Sequence, residues 1–301
     1  MIVDPSRCAK KILDIHGATG AVWLERLPEL VAACARRWSL SVLPPFDYDA
    51  YNYVCPAVRS DGTDVVLKLG VPDAEISCQV EALRIFNGDG MVRLLDAEPE
   101  QGVLLLERLL PGTMLAALED DAQATEIAGL VMRRLWKPAP SIHNFPSVAR
   151  WAAGFIRLHD RFGGGYGPFP SHLIDRAEQL FRDLLAPGGI QMLLHGDANP
   201  FNILQARREP WLVIDPKGVV GHPLYDAATF LNNLPEGHSI SDLRAILSRR
   251  VRQLSEMLEF DARLVSAWGQ AQCILSSFWM FEDHGKGWEQ GLEFASLYDM
   301  I

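Results

Sequence analysis

The stretch Met192-Leu193-Leu194-His195-Gly196-Asp197-Ala198-Asn199-Pro200-Phe201-Asn202-Ile203-Leu204 sets a histidine, a carboxylate and an amide on one loop between two apolar runs. Further on, Asp215 closes the run Trp211-Leu212-Val213-Ile214. Phosphoryl transfer asks for such a set: a carboxylate to position the attacking hydroxyl, and an amide oxygen with a second carboxylate to hold a metal on the phosphates. His195 or Asp197 alone would read first as bracing a loop. With Asn202 and Asp215 following in this order, the catalytic reading outweighs the bracing one.

Lys68 lies in Val65-Val66-Leu67-Lys68-Leu69, an otherwise apolar strand. A buried ammonium needs a counter-charge, and the α- and β-phosphates of a nucleotide would supply one. Glu81 on the next helical stretch is the expected partner of Lys68, with Glu75 the other choice. An edge lysine reaching out to solvent is the plainer alternative.

Such groups need a scaffold, and the patterning supplies two kinds. Residues 21–38 carry Leu24, Leu27, Leu30, Val31 and Cys34 at helical spacing. Short β-prone runs follow at 40–43, 51–59 and 64–69, with Ser60-Asp61-Gly62-Thr63 as a turn. Helical spacing returns over 73–87 and is ended by Gly88-Asp89-Gly90. Two more strands, 92–95 and 103–107, flank the turn 98–102. Beyond Pro111-Gly112 helices dominate, at 122–136, 147–161, 172–185, 241–260 and 262–281, interrupted by one strand pair, 202–205 and 211–215. The expected class is α+β, with a helical lead-in over 1–38, a sheet unit over 39–110 and a helical unit over 111–301.

Composition narrows the partners. The chain has 301 residues, 49% of them hydrophobic, and a net charge of −10. Without a basic run, that balance argues against nucleic acid, and no apolar stretch approaches the ~18–20 residues of a membrane span. The first residues lack the pattern of a secretory signal. Five scattered cysteines, Cys8, Cys34, Cys55, Cys78 and Cys273, read as reduced thiols of a cytoplasmic protein. No histidine spacing suggests structural zinc. Gly163-Gly164-Gly165-Tyr166-Gly167 follows a helical stripe, not a strand, and so reads as a helix-ending turn instead of a phosphate cradle.

The same residues resemble the aminoglycoside phosphotransferases of the protein-kinase-like fold, and within them the streptomycin 6-phosphotransferase and hydroxyurea kinase family. The resemblance runs in order from about residue 21 to 231. It is carried by Trp23-Leu24-Glu25-Arg26-Leu27-Pro28, Asp61-Gly62-Thr63 ahead of Lys68, Gly88-Asp89-Gly90-Met91-Val92-Arg93-Leu94-Leu95, Leu105-Leu106-Glu107-Arg108-Leu109-Leu110-Pro111-Gly112, the His195–Asn202 segment, Val213-Ile214-Asp215-Pro216-Lys217-Gly218 and Pro223-Leu224-Tyr225-Asp226.

The resemblance implies a bilobal fold, with a small antiparallel-sheet lobe bearing one main helix and a larger, mostly helical lobe. It implies ATP and Mg²⁺ as cofactors and a small-molecule acceptor. Asp197 would accept the proton of the attacking hydroxyl, His195 would orient the loop, and Asn202 and Asp215 would hold Mg²⁺. Lys68 with Glu81 would order the phosphates, and Glu107 to Leu110 would be the inter-lobe strand whose main chain meets adenine. Asp226 would hold the catalytic loop through backbone hydrogen bonds, or else cap the helix that follows.

Two departures stand out. The first hairpin loop, Phe46-Asp47-Tyr48-Asp49-Ala50-Tyr51-Asn52, has no glycine and two acids, and carboxylates repel phosphates. Position 199 is Asn where the family commonly has His.

The acceptor site is expected near the C-terminus, where Glu282, Asp283, Glu289, Glu293 and Asp299 outnumber Lys286 and would suit a cationic compound. Trp279, Phe281 and Trp288 could stack on a sugar or guanidinium face. A solvated acidic helix end is the alternative. The expected activity is ATP-dependent O-phosphorylation of an aminoglycoside such as streptomycin. A kinase of an endogenous sugar or amino alcohol, and a nucleotide-binding pseudokinase, are the rivals.

Overall fold

The computed structural model describes residues 3–48 and 50–301. Met1 and Ile2 of the lead-in, and Asp49 of the glycine-free loop, lie outside the described residues. Two compact units make up the chain, the first ending at Gly112 and the second beginning at Thr113.

The first unit opens with α1 (Ala9–Arg37), which is bent at Gly17 (φ 52°). It begins well before the stretch of helical spacing read from residue 21, because the early turns are mostly exposed and leave little apolar periodicity. One face of α1, through Ile12, Trp23, Leu27 and Val31, is buried with Leu67, Leu69 and Val103. The strands are β1 (Leu40–Val42), β2 (Tyr53–Arg59), β3 (Asp64–Leu69), β4 (Leu94–Glu98) and β5 (Val103–Glu107), in the order β1-β2-β3-β5-β4 and all antiparallel. The β2–β3 turn closes with Arg59 N–H on the Thr63 carbonyl and Gly62 at φ 85°. Between β3 and β4 lies α2 (Ala74–Phe86), started by the Asp73 carboxylate on the Ile76 N–H. It is stopped by Asn87 in the left-handed region. β4 lies later than the expected 92–95 and carries a bulge between Leu94 and Asp96.

After β6 (Pro111–Met114), the second unit is mainly helical: α3 (Asp121–Leu135), α4 (Val148–Ala152), α5 (Gly154–Arg161), α6 (Ser171–Leu184), α7 (Leu224–Leu231), α8 (Ile240–Leu258), α9 (Ala262–His284) and α10 (Trp288–Leu297). The helix expected over 147–161 is broken at Ala153, ahead of Gly154. α10 is a helix the patterning did not mark out, while α7 is the helix that the alternative reading of Asp226 placed around it. α9 packs against α6, α7, α8 and α10, and Trp268, Ile274 and Phe278 are fully buried along it.

The expectation of a single strand pair in this unit is corrected. β9 (Ile203–Ala206) and β10 (Trp211–Val213) form a three-stranded sheet with β6, and three further short strands occur: β7 (Lys137–Pro138), β8 (Met192–Leu194) and β11 (Val219–Gly221). β8 lies between β7 and β11. Two- and three-residue strands carry no readable alternation, and only their pairing defines them. That pairing positions the site, because Leu194 sits opposite Val219 and Ile203 opposite Val213. The loop leaving β8 is therefore set against the segment running from β10 into β11.

Candidate active site

Within the second unit, residues 195–202 and 214–218 interlock through the backbone. Lys217 N–H donates to the His195 carbonyl at 2.8 Å, and Ile214 N–H to the Asn202 carbonyl at 2.9 Å. His195 is completely buried. Its Nδ1 accepts the Asp197 N–H at 3.1 Å, and its Nε2 lies 2.8 Å from the Ile214 carbonyl. An acceptor role at one nitrogen and a carbonyl facing the other fix the neutral tautomer with the proton on Nε2. The ring thus joins the two segments and has no nitrogen left for proton transfer.

Gly196 must turn sharply here. Its φ is 86°, and a Cβ would come within 2.9 Å of the Val219 side chain and 3.0 Å of the Trp151 ring. Asp226, fully buried on α7, holds the turn from behind. Its Oδ1 accepts the Gly196 N–H at 2.7 Å, and its Oδ2 accepts the His195 N–H at 3.1 Å and Trp136 Nε1–H at 3.3 Å. Burial pushes this carboxyl up to about 7, against the pull of those donors. The helix-capping alternative for Asp226 does not hold, because Pro223 occupies the N-cap of α7.

Asp197 is half-buried, and its carboxylate is held from two sides. Asn199 Nδ2–H donates to Oδ1 at 2.8 Å, and Asn202 Nδ2–H to Oδ2 at 3.2 Å and to the Asp197 carbonyl at 2.9 Å. Asn199 also accepts the N–H groups of Phe201 and Asn202 on its Oδ1, so the departure noted at this position braces the loop. Desolvation raises the Asp197 carboxyl to about 6; Lys217 and the two amides oppose that shift, and Asp215 adds to it. Asp215 is in the left-handed region at φ 62°. Because Asn202 spends its N–H₂ on Asp197, its amide oxygen is the end that can take a cation. An amide oxygen and a carboxylate are hard oxygen donors, and so few protein ligands suit Mg²⁺, which keeps much of its water. The donor set therefore fits that ion.

In the first unit, Lys68 is buried at 6% exposure on β3, opposite Val54 and Leu104. Glu75 and Glu81 lie on α2. Glu107 ends β5, where its N–H donates to the Arg93 carbonyl and its Oε2 accepts the Arg93 N–H. The Glu107 side chain is thus engaged in holding β4 to β5. Asp47 of the glycine-free loop forms an ion pair with Arg7.

A cavity of about 760 Å³, lined entirely by residues of the second unit, has Asp197 in its wall. Its apolar side includes Phe201, Met280, Trp288 and Phe294, and its polar side Glu119, Asn232, Glu236, Gln272 and Gln290. Asp121 and Arg250 also line it; the Asp121 carboxylate is shared between Arg250, at 2.5 Å, and Arg249, at 2.7 Å.

The C-terminal acids expected at the acceptor site lie outside this cavity. Neither Glu282 nor Asp283 lines this cavity. Glu282 is instead clamped by Arg157 through two hydrogen bonds of 3.1 and 2.7 Å. Of the three aromatic residues named for stacking, Trp288 alone lines it. Glu119 and Glu236 were missed because their segments carry no periodic signal and reach the cavity only through folding.

The profile of the aminoglycoside/hydroxyurea antibiotic resistance kinase family matches residues 48–285. The chain is 34% identical over 293 residues to a streptomycin 6-kinase of Streptomyces griseus, covering 93% of this chain and 91% of that one. It is also 34% identical over 291 residues to a hydroxyurea phosphotransferase of Kitasatospora aureofaciens, covering 93% and 80%. Among solved structures, a choline kinase from Streptococcus pneumoniae matches with a TM-score of 0.63 at 13% identity, over 90% of this chain and 99% of that one. That likeness is one of fold, and the fold is the protein-kinase-like one.

Proposed function

Because the chain belongs to the aminoglycoside/hydroxyurea antibiotic resistance kinase family, and is thereby a small-molecule kinase, we propose that it phosphorylates a hydroxyl of a streptomycin-type aminoglycoside with ATP as donor. The observation that carries this reading is Asp197, held by two amides in the wall of a large cavity. Pockets of roughly 300–1,000 Å³ hold drug-sized ligands. Hydroxyurea has only a handful of atoms and would leave most of 760 Å³ unfilled. Glu119 and Glu236 at the cavity suit an acceptor bearing guanidinium or ammonium groups.

In this reading Asp197 takes the proton of the acceptor hydroxyl, with Asn199 and Asn202 fixing its two oxygens. His195 and Asp226 keep the loop in place and exchange no proton with substrate. Asn202 and Asp215 would hold Mg²⁺, whose chemistry is to neutralise charge on the phosphate oxygens. Lys68, with Glu81, would order the α- and β-phosphates, and the backbone beyond Glu107 would meet adenine. Dependence on ATP goes with a cytoplasmic site of action. No helix among the described residues is long and apolar enough to cross a membrane.

Purified protein with Mg²⁺ and ATP, assayed with streptomycin and a panel of aminoglycosides and amino sugars, tests the reading. A streptomycin-dependent rate with a product heavier by one phosphate supports it. Turnover only with an amino sugar moves the function to metabolism, and nucleotide binding without any turnover moves it to a pseudokinase.

A further inference from the structure

The roles above leave Lys217 unused, although it sits between Asp215 and the strand that pairs with β8. Its N–H and that of Gly218 both donate to the His195 carbonyl, at 2.8 and 3.3 Å. The segment is therefore pinned to the turn that carries Asp197. The lysine stem starts at that turn, since a Cβ placed on Gly196 would lie 3.1 Å from the Lys217 Cβ. The side chain is half-buried. Two other ionised groups bear on the Asp197 carboxylate, Lys217 attracting its charge and Asp215 repelling it.

We propose that Lys217 is a catalytic residue whose ammonium binds the oxygens of the phosphoryl group during transfer. The inference rests on the phosphotransferase reading of the site, though not on which acceptor is used.

In the transfer, the acceptor oxygen forms a bond to the γ-phosphorus while the bond from that phosphorus to the β–γ bridging oxygen breaks. The electron pair leaves with ADP, and the hydroxyl proton passes to Asp197. The reacting atoms must approach to about 3–3.5 Å, so a lysine whose stem starts at the turn carrying Asp197 has the moving phosphoryl group within reach. That group is anionic and must come up to the Asp197 carboxylate. A positive charge fixed to the same backbone turn offsets that repulsion without having to be recruited at the moment of transfer. Lys68 cannot serve this purpose at the Asp197 side if it is committed to the α- and β-phosphates.

Lys217→Met and Lys217→Arg test the proposal by kcat, by KM for both substrates, and by the affinity for ADP with and without aluminium fluoride, a mimic of the phosphoryl group in flight. For Lys217→Met, kcat is expected to fall by about 10²–10³-fold. KM values and ADP affinity should change by no more than about threefold. The extra tightness conferred by aluminium fluoride should be lost by the same factor as kcat, and Lys217→Arg should recover part of both. A purely structural lysine would lower the melting temperature and weaken ADP with and without fluoride alike, which overturns the proposal. So does a Lys217→Met enzyme that keeps its kcat or its gain in affinity from aluminium fluoride. If wild type ignores streptomycin, the substrate reading fails, and Lys217 is still judged by ADP and aluminium fluoride binding.

Discussion

Asp226 holds Gly196 by a 2.7 Å hydrogen bond from the glycine N–H to the aspartate Oδ1. The two residues belong to a helix and a loop thirty positions apart, and both are buried. A backbone N–H in such a place must be paired, and the turn at Gly196 has no carbonyl to offer it. The carboxylate therefore takes over a task that backbone usually performs, and the catalytic loop inherits the rigidity of α7.

Asp226→Ala would orphan the N–H groups of His195 and Gly196 together with the Trp136 indole. Each buried donor left unpaired costs about 1–3 kcal/mol, so a total loss of roughly 3–5 kcal/mol is expected once relaxation is allowed for. Chemical denaturation would register the loss. In protein still folded at low temperature, kcat should drop with little change in acceptor KM.

Asp197→Asn keeps the shape of the side chain but removes the base. A decrease in kcat of about 10²–10⁴-fold is expected, with the melting temperature close to wild type, measured by steady-state turnover and thermal denaturation.

Under the proposed function the Asp197 carboxyl, pushed up to about 6 by desolvation, would set the acid limb of activity. The base works ionised, so acceptor kcat/KM should be flat above pH 7 and fall about tenfold per unit below pH 6. A limb near pH 4, the range of an ordinary carboxylate, would show that desolvation does not govern this group.

His222 stacks on Trp268, with ring centroids 5.4 Å apart, and its Nδ1 accepts the Leu224 N–H. Burial lowers its pKa from 6.5 to about 4. The unfolded chain takes up a proton there below pH 6.5, whereas the folded chain does not until about pH 4. The contribution to stability is therefore complete above pH 6.5 and is lost as pH falls from 6.5 to 4. Allowing for its partial exposure, this is worth about 1–2 kcal/mol. In His222→Phe that part of the pH dependence of urea unfolding should disappear.

Glu236→Gln and Glu282→Gln should behave differently toward a cationic acceptor. Glu236 lines the cavity, and its loss should raise acceptor KM by about 5–10-fold with ATP KM unchanged. Glu282 is committed to Arg157, and its loss should leave both KM values near wild type.

Local signals explain what the sequence disclosed. Asp197, Asn202 and Asp215 lie between or after short apolar runs, and the order of residue types alone pointed to phosphoryl transfer. β3 was readable end to end because Asp61-Gly62 fixes its turn and the strand is an unbroken apolar run around one lysine. Contacts between distant segments were not readable. The pairing of Leu194 with Val219 involves strands of three residues each, and the clamp of Arg157 on Glu282 crosses from α5 to α9. From sequence Glu282 was simply an unmatched acid. Asn199 showed the same limit in reverse: a departure from the family pattern became, once folded, one of the two amides that hold the base.

The cavity, the base and the groups suited to the metal all come from the chain after Thr113, while Lys68 and Glu81 come from before it. Under the proposed function, substitutions at Glu119, Glu236, Gln290 or Trp288 would therefore redraw the set of compounds accepted without touching the residues proposed for nucleotide. Selection by a new toxic compound would act on a few cavity positions, and the inherited phosphoryl chemistry would carry over intact.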